Sequence, residues 1–251
     1  MTGLKVVAII QARMASKRLP GKVLAEILGE PMLAWVVDRV QLAENVGEVI
    51  VATTTDPGDD AIVELCQRRG YSFQRGDASD VLDRYRSTAK AYGAEIVVRI
   101  TADCPLIDPA LIDRTVQALL EAQPRADFAA NRLPWNRTYP IGLDVEVCTV
   151  DALERAWLEA SEPHQREHVM PYIYEQPERF RILHVTADDD YGHLRWTVDT
   201  ERDLKFVREI ARRIPDRVNF GWKDVLKIVE EEPELMQINE SVKHKTHRDV
   251  G

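Results

Sequence analysis

The sequence predicts an α/β fold built on a mixed, mostly parallel, doubly wound sheet. Short apolar runs typical of buried strands alternate with amphipathic helical stretches through about residue 130. A basic loop follows the first apolar run, at a place where such sheets commonly bind ligands. The chain has 251 residues, of which 45% are hydrophobic, enough for one large domain with a substantial core.

The first half of the chain gives the clearest element pattern. The predicted strands cover residues 6–10, 49–53, 71–73, 95–100 and 127–130. The predicted helices between them cover residues 32–43, 59–69, 80–92 and 110–122. Strands that alternate with helices of ~10–15 residues indicate parallel β-α-β units with right-handed crossovers.

The pattern changes after residue 130. Residues 131–140 are rich in turn formers and aromatics, and residues 143–148 alternate like an antiparallel strand. Further helices are predicted at 150–160, 164–175, 200–213 and 222–231, and further strands at 181–185 and 194–198. We expect a single domain over residues 1–238, an inserted lid or dimer arm at about 131–185, and a flexible tail over 239–251.

Composition narrows the class of protein. The net charge of −9 argues against a general nucleic-acid binder. No apolar run approaches the ~18 residues of a transmembrane helix, and the N-terminus begins with a core strand instead of an export signal. The three cysteines are widely spaced and odd in number, which predicts neither a disulfide framework nor a zinc site. We therefore expect a cytoplasmic protein with no nucleic-acid or membrane partner.

The segment from Gln11 to Lys22 is a candidate phosphate-binding loop. It carries the cations Arg13, Arg18 and Lys22 and a Pro-Gly turn between a strand and a helical segment. Backbone N–H groups and basic side chains in such a loop can converge on phosphate oxygens. The GxxxxGK[ST] and GxGxxG patterns are absent from the chain, so neither a Walker loop nor a classical dinucleotide turn is predicted. A solvated turn is the alternative interpretation.

Two carboxylates are predicted to follow strand ends near this loop. Asp103 follows the strand that ends at Ile100, and Asp199 follows Val198. Mg²⁺ prefers a few hard oxygen ligands together with substrate phosphates and water, which such a pair could supply. The residues alone leave an equal alternative open, in which both aspartates cap the helices that follow them.

Three further blocks could line the same cleft. They are residues 75–84, with Arg75, Gly76 and Asp80; residues 131–146, with Asn131, Gly142, Asp144 and Glu146; and residues 166–172, with Arg166 and His168. Asp80 could equally be a helix N-cap, and a histidine placed like His168 more often packs or hydrogen-bonds than transfers protons. Arg166 and His168 are two residues apart, so on a helix only one of them would face the cleft. Asp188–Asp190 resembles a glycosyltransferase DxD motif, but a solvated turn is the preferred interpretation.

Five ordered blocks of the chain resemble the cytidylyltransferases that activate acidic sugars as CMP-sugars, the CMP-Kdo and CMP-sialic acid synthetases. The first block is the loop 11–22, and the second combines Asp103-Cys-Pro-Leu106 with Val198-Asp-Thr-Glu-Arg-Asp-Leu204. The other three are the segments 75–84, 139–146 (with Asn131 ahead of it) and 166–172. The spore-coat polysaccharide (SpsF-like) branch is the most similar. Cys104 stands where CMP-Kdo synthetases have an acidic residue, and sialate synthetases have a glycine-rich first loop, so neither sugar is assigned.

The resemblance implies a nucleotide-diphospho-sugar transferase fold, a homodimer and Mg²⁺-dependent transfer from CTP to a small sugar acceptor for polysaccharide biosynthesis. It also implies roles for the residues quoted above. Asp103 and Asp199 would hold Mg²⁺, and Arg13 and Lys22 would bind the triphosphate and join them in catalysis. The implied nucleotide contacts are Gln11, Ala12, Arg13, Ser16, Gly21, Lys22, Arg75, Gly76, Asp80, Ala102 and Asp103. The implied acceptor contacts are Asn131, Gly142, Asp144, Glu146, Arg166 and His168.

Dimerisation is also expected from the apolar and aromatic strip at 169–174, which exceeds what one helix face can bury. Tyr172 or Tyr174 would lie at or near the interface, unless the helix is simply buried under its own domain. Two alternative functions are a nucleotide-sugar-dependent glycosyltransferase and a non-catalytic nucleotide-binding scaffold. Pyrophosphate release would separate the predicted transferase from both.

Overall fold

The computed structural model describes residues 3–243. The strands are β1 Val6–Gln11, β2 Glu26–Ile27, β3 Glu30–Pro31, β4 Glu48–Thr54, β5 Ser72–Gly76, β6 Ile96–Thr101, β7 Phe128–Ala130, β8 Arg132–Leu133, β9 Asn136–Arg137, β10 Glu146–Thr149 and β11 Ile182–His184. The helices are α1 Met32–Val40, α2 Asp60–Arg69, α3 Val81–Ala91, α4 Pro109–Glu121, α5 Val150–Glu159, α6 Pro163–His168, α7 Pro171–Tyr174, α8 Glu201–Arg213 and α9 Trp222–Glu231. Short 3-10 helices cover Lys22–Leu24, Pro57–Asp59 and Pro233–Ile238.

Seven of these strands form the central sheet, in the order β11-β7-β10-β6-β1-β4-β5. All neighbouring pairs are parallel except those of β10, which runs antiparallel to both β6 and β7. β6 is therefore the central strand, and its carboxyl end is next to that of its parallel neighbour β1. This places the residues that follow both strands at one edge of the sheet.

Helices cover both faces because alternate residues of each buried strand point to opposite sides. On one face, Ala8 and Ile10 of β1 belong to a core that includes Val36 of α1, Ile112 of α4 and Phe206 of α8. Helices α2 and α9 add their apolar residues to the same face.

The opposite face has its own core. Val7 and Ile9 of β1 pack in a cluster with Leu82 of α3, Leu153 of α5 and Ile173 of α7. The segment 131–185, expected as an insertion, thus contributes β10 and β11 to the central sheet and α5–α7 to this face. Across residues 3–243, no helix is long and apolar enough to cross a membrane.

Two predicted elements of the second half differ from the structure. The strand predicted at 194–198 is wrong, because its backbone hydrogen bonds divide between two segments instead of forming a ladder. Trp196 N–H donates to Ile141 O at 2.7 Å, whereas Val198 N–H donates to Asp103 O at 2.8 Å. The helix predicted at 164–175 is broken into α6 and α7, since Val169 adopts a φ of 72° and Pro171 has no N–H to donate.

The predicted tail begins inside the described part of the chain. Asn239 is buried, and its side-chain amide donates to Arg195 O at 3.1 Å and to Asp203 Oδ1 at 3.0 Å. This contact holds the start of the predicted tail against the loop that leads into α8. Residues 244–251 lie outside the described residues.

Candidate active site

A cleft opens at the carboxyl ends of β1 and β6, where ligands of such sheets usually bind. The loop from Ala12 to Gly21 forms one wall, and residues 101–104 form the floor. Residues 141–146, 167–168 and 197–199 border the cleft, together with side chains from the sheet and from α3. Polar and charged side chains from several parts of the sequence therefore meet in one place.

The basic loop is held in shape by its own backbone and by one buried carboxylate. Gly21 adopts a left-handed φ of 72°, which glycine accepts without steric cost, and its N–H donates to Met14 O at 2.9 Å. Met14 N–H donates to Asp59 Oδ1 at 2.7 Å, and the other oxygen of Asp59 accepts from the hydroxyl of Thr54. The loop is therefore fixed to the start of α2.

Lys22, Asp103 and Asp199 meet at the floor of the cleft. The Nζ of Lys22 lies 2.8 Å from Asp103 Oδ2 and 2.9 Å from Asp199 Oδ1, and it donates to Val198 O at 2.8 Å. Burial alone would lower the pKa of Lys22, but the two carboxylates outweigh it, so the pKa is raised and the side chain stays charged. The two aspartates are thus close enough for one cation to bind both.

Asp199 has two more cationic partners. The Nη2 atoms of Arg18 and Arg195 each lie 2.9 Å from Asp199 Oδ2, and Arg195 Nε also donates to Asp203 Oδ1 at 2.8 Å. Burial would raise the pKa of Asp199, yet Lys22, Arg18 and Arg195 lower it to about 2. Asp199 is therefore ionised throughout the physiological range.

The pair of carboxylates fits a magnesium ion bound together with phosphates. Both side chains remain partly exposed to the cleft, Asp103 by 26% and Asp199 by 17%. No cluster of three or more metal-ligating side chains forms within residues 3–243. Two carboxylate oxygens suit Mg²⁺, which commonly binds one or two carboxylates and completes its shell with substrate phosphates and water.

The opposite end of the cleft is formed by arginine–carboxylate pairs. Arg99 of β6 binds Glu146 directly across the antiparallel β6–β10 pair, and Arg132 NH1 lies 3.8 Å from the other oxygen of Glu146. Arg137 donates from both terminal nitrogens to Asp144, with the NH2–Oδ2 bond at 2.9 Å. Since two arginines share the single carboxylate of Glu146, this wall keeps a local excess of positive charge.

Most of the residues expected at the site do line the cleft. They are Gln11, Ala12, Arg13, Ser16, Lys22, Ala102, Asp103, Gly142, Asp144, Glu146, His168 and Asp199. Gly21 contributes through the loop geometry described above.

Five expected contacts lie outside the cleft. Arg75 donates to Thr54 O at 2.7 Å and to Asp60 Oδ1 at 2.7 Å, and Gly76 packs against the stem of Arg84. Asn131 is buried. Its side-chain amide donates to Leu143 O, and its side-chain oxygen accepts from Val145 N–H. The remaining two, Asp80 and Arg166, bind each other.

Several residues at the cleft were not anticipated. They are Arg84, Arg99, Arg132 and Thr197, together with the supporting residues Asp59, Arg137, Arg195 and Asp203. Arg99 did give a signal, since a charged residue in the apolar run Ile96–Ile100 needs a partner or a function. Arg18, one of the cations of the basic loop, is partly solvated and also binds Asp199.

Comparison with known sequences identifies relatives of this chain. An uncharacterised protein of Methanocaldococcus jannaschii is 37% identical over 249 residues, which cover 98% of this chain and 99% of that protein. The spore coat polysaccharide biosynthesis protein SpsF of Bacillus subtilis is 27% identical over 236 residues, covering 91% of this chain and 95% of SpsF. The 3-deoxy-manno-octulosonate cytidylyltransferase of Geobacter sulfurreducens is 41% identical over 120 residues, covering 47% of this chain and 46% of that enzyme.

A solved structure shares the whole fold. The cytidylyltransferase of Leptospira borgpetersenii serovar Hardjo-bovis superposes with a TM-score of 0.89 at 33% identity, covering 96% of this chain and all of that one. The predicted fold class, a mostly parallel sheet of the nucleotide-diphospho-sugar transferase type, is confirmed. The sequence profile of cytidylyltransferases matches residues 7–239, which also confirms the predicted enzyme class, a CTP-dependent nucleotidyltransferase. The chain therefore belongs to the cytidylyltransferase family.

Proposed function

We propose that the protein transfers the cytidylyl group of CTP to a hydroxyl of an acidic sugar, with Mg²⁺ as cofactor. The products are a CMP-sugar and pyrophosphate. The observation that carries the proposal is the meeting of Lys22, Asp103 and Asp199 on the floor of a cleft whose wall is a basic loop. This set combines cations for a triphosphate with two oxygen ligands for the metal.

The chemistry needs alignment and charge neutralisation, and no protein nucleophile. The acceptor oxygen forms a bond to the α-phosphorus while the bond from that phosphorus to pyrophosphate breaks, and the hydroxyl proton leaves to solvent. Arg13 is 44% exposed on the loop, and its guanidinium lies 3.5 Å from Glu167, a loose pair that a triphosphate could replace. Bound Mg²⁺ would neutralise phosphate charge at Asp103 and Asp199. Fixed cations of this kind stabilise the transition state because they need little reorganisation.

The charge of the far wall supports an acidic acceptor. Arg99 and Arg132 both approach Glu146, and all three side chains line the cleft. A carboxylate on the acceptor would give the second guanidinium a partner of its own, and guanidinium groups match carboxylates in shape as well as charge. A neutral sugar would leave that excess charge uncompensated.

The role in surface polysaccharide synthesis, including spore-coat polysaccharide, is also proposed, and the similarity to SpsF supports it. The homodimer stays a prediction that only the resemblance to cytidylyltransferases supports. The argument for a dimer from an exposed apolar strip at 169–174 is wrong, because Tyr172 and Tyr174 are buried within the chain. Light scattering that gave only the 28.6 kDa chain mass at micromolar concentration would contradict a dimer.

The test is a pyrophosphate-release screen. Each of the four nucleoside triphosphates is incubated with a panel of acidic and neutral sugars, with and without Mg²⁺. We expect pyrophosphate only with CTP, Mg²⁺ and an acidic sugar. Release that favours neutral sugars would contradict the acceptor class, and release with no divalent metal would contradict the cofactor.

A further inference from the structure

The ammonium group of Lys22 is saturated in this structure. An ammonium group has three N–H donors, and here three acceptors receive them: Asp103 Oδ2, Asp199 Oδ1 and Val198 O. The side chain is only 10% exposed. Lys22 therefore has no donor left for a phosphate group as long as it stays in this position.

The charges around Lys22 are also balanced among the side chains. Asp199 binds Arg18 and Arg195 in addition to Lys22, and Arg195 shares its guanidinium with Asp203. Three cations therefore face three carboxylates, counting Asp103. A divalent ion added to this arrangement would bring two positive charges with no new negative charge to meet them.

We propose that Lys22 is a resident cation that holds the carboxylate pair and makes divalent metal and nucleotide bind together. This inference rests on the metal site of the proposed function. A magnesium ion bound to a carboxylate oxygen sits at about 2.1 Å from it. An ammonium 2.8 Å from Asp103 and 2.9 Å from Asp199 competes for the same oxygens and repels the ion.

The triphosphate resolves this competition. Its negative charges give Lys22 new acceptors in the same cleft and give the metal further oxygen ligands. The backbone need not move for the exchange, because Gly21 N–H and Met14 N–H hold the loop to Met14 O and Asp59. Only the flexible four-carbon stem of Lys22 has to turn. The lysine thus serves both states, as a counter-ion before the nucleotide arrives and as a phosphate ligand afterwards.

The test measures Mn²⁺ affinity, which needs no turnover. Free Mn²⁺ is followed by electron paramagnetic resonance in wild type, Lys22→Met and the loop control Lys17→Met, each with and without a non-hydrolysable CTP analogue. In wild type and Lys17→Met, we expect the analogue to tighten Mn²⁺ binding at least ~10-fold, within the usual range for coupled sites. In Lys22→Met without nucleotide, we expect Mn²⁺ to bind at least ~10-fold more tightly than in wild type, with a smaller effect of the analogue.

Equal Mn²⁺ affinity of wild type and Lys22→Met without nucleotide would overturn the proposal. Absence of Mn²⁺ binding in every protein, even with the analogue, would overturn the metal site of the proposed function as well, so the two failures are distinguishable. Wild type alone gives a second measurement if Lys22→Met does not fold. Calorimetry of Mn²⁺ alone should then show weak binding that strengthens with the analogue, and tight binding without nucleotide would overturn the proposal.

Discussion

The guanidinium of Arg166 on α6 binds the carboxylate of Asp80, with Nε 3.1 Å from Oδ2. The resemblance to cytidylyltransferases implied different ligands for these two residues, the nucleotide for Asp80 and the acceptor for Arg166. In the structure they join α6 to the start of α3, since the other oxygen of Asp80 accepts from Asp83 N–H at 2.9 Å and caps that helix. Arg166 also donates to Trp157 O at 2.7 Å. The pair therefore holds two helices together outside the cleft.

This arrangement predicts a stability effect with little effect on activity. Asp80→Asn should keep the helix cap and lose only the ion pair, which at this partial exposure contributes about 1 kcal/mol or less. Asp80→Ala should lose the cap as well, for about 1 kcal/mol more. Urea unfolding gives the free energies, and pyrophosphate release gives the turnover. A turnover loss of ~10-fold or more in a stable Asp80→Asn protein would instead place the residue in catalysis, since that loss is about 1.4 kcal/mol of barrier.

The two carboxylates of the floor should be essential for turnover. Asp103→Asn and Asp199→Asn each remove one charged ligand from the proposed metal site, and we expect kcat to fall ~100-fold or more. Asp188→Asn is the matched control, since Asp188 lies in an exposed turn after β11 and should keep wild-type turnover. Circular dichroism checks that each variant is folded. Near-normal kcat in either of the first two variants would contradict the assignment.

The basic loop should show a graded response. Arg13→Ala and Lys22→Ala should weaken CTP use, and the structure adds Arg18, which binds Asp199 at 2.9 Å. A lost hydrogen bond to a charged group is worth about 1.5–3 kcal/mol, so we expect kcat/KM for CTP to fall ~10-fold or more for each. Lys17 is exposed, and Lys17→Ala should change it much less. Equal, small effects at all four positions would mean that the loop is only a turn.

How much the sequence could predict depended on where backbone hydrogen bonds go. The helices and parallel strands of the first half were predicted closely. Their backbone hydrogen bonds lie within one helix or between neighbouring strands, so the spacing of apolar residues is enough to identify each element. Asp103 and Asp199 were correctly predicted to meet, since both follow segments that end at the same edge of the sheet. The segment 194–198 has a strand-like pattern, but its bonds to Ile141 and Asp103 follow from tertiary contacts that no local pattern encodes.

Arg75 shows a second limit, which is strand order. It was placed at the cleft because it follows a predicted strand, residues 71–73, as the basic loop follows residues 6–10. The sheet order puts β5 at the edge, with β4 between it and β1. Since neighbouring strands are about 4.8 Å apart, β5 lies roughly 10 Å from β1, and Arg75 instead meets Asp60 at the start of α2. Arg99 was not predicted to lie at the cleft, because its partner Glu146 is 47 residues away in the sequence.

Acid should destabilise the protein partly through Asp199. Its three cationic partners lower its pKa from the ordinary 3.8 to about 2, so the folded state binds its proton less readily than the unfolded state does. The resulting stabilisation is fully present above about pH 4 and is lost as the pH falls toward 2. Asp199→Asn lacks this group, so its stability deficit relative to wild type should shrink over that range. Urea unfolding at a series of pH values checks this, and a deficit that stays constant would contradict the predicted ionisation.

Gly142 should be intolerant of any side chain. It has a φ of 109°, and a Cβ built on it would lie 2.5 Å from the backbone nitrogen of Thr197. An alanine would therefore push residues 196–197 away, and with them Val198 O and Asp199, which bind Lys22. Overpacking of this kind typically costs about 1–3 kcal/mol of stability. We expect Gly142→Ala to lose that much and also to lose turnover ~10-fold or more, because a displaced catalytic group aligns poorly.

Gly70→Ala is the matched control: Gly70 has a φ of 69° but no heavy atom within 4 Å of a built Cβ. Gly70→Ala should show only the strain of a side chain at a positive φ and keep its kcat, because no neighbouring atom is displaced. Wild-type kcat in Gly142→Ala would show that the position of Asp199 does not depend on this contact.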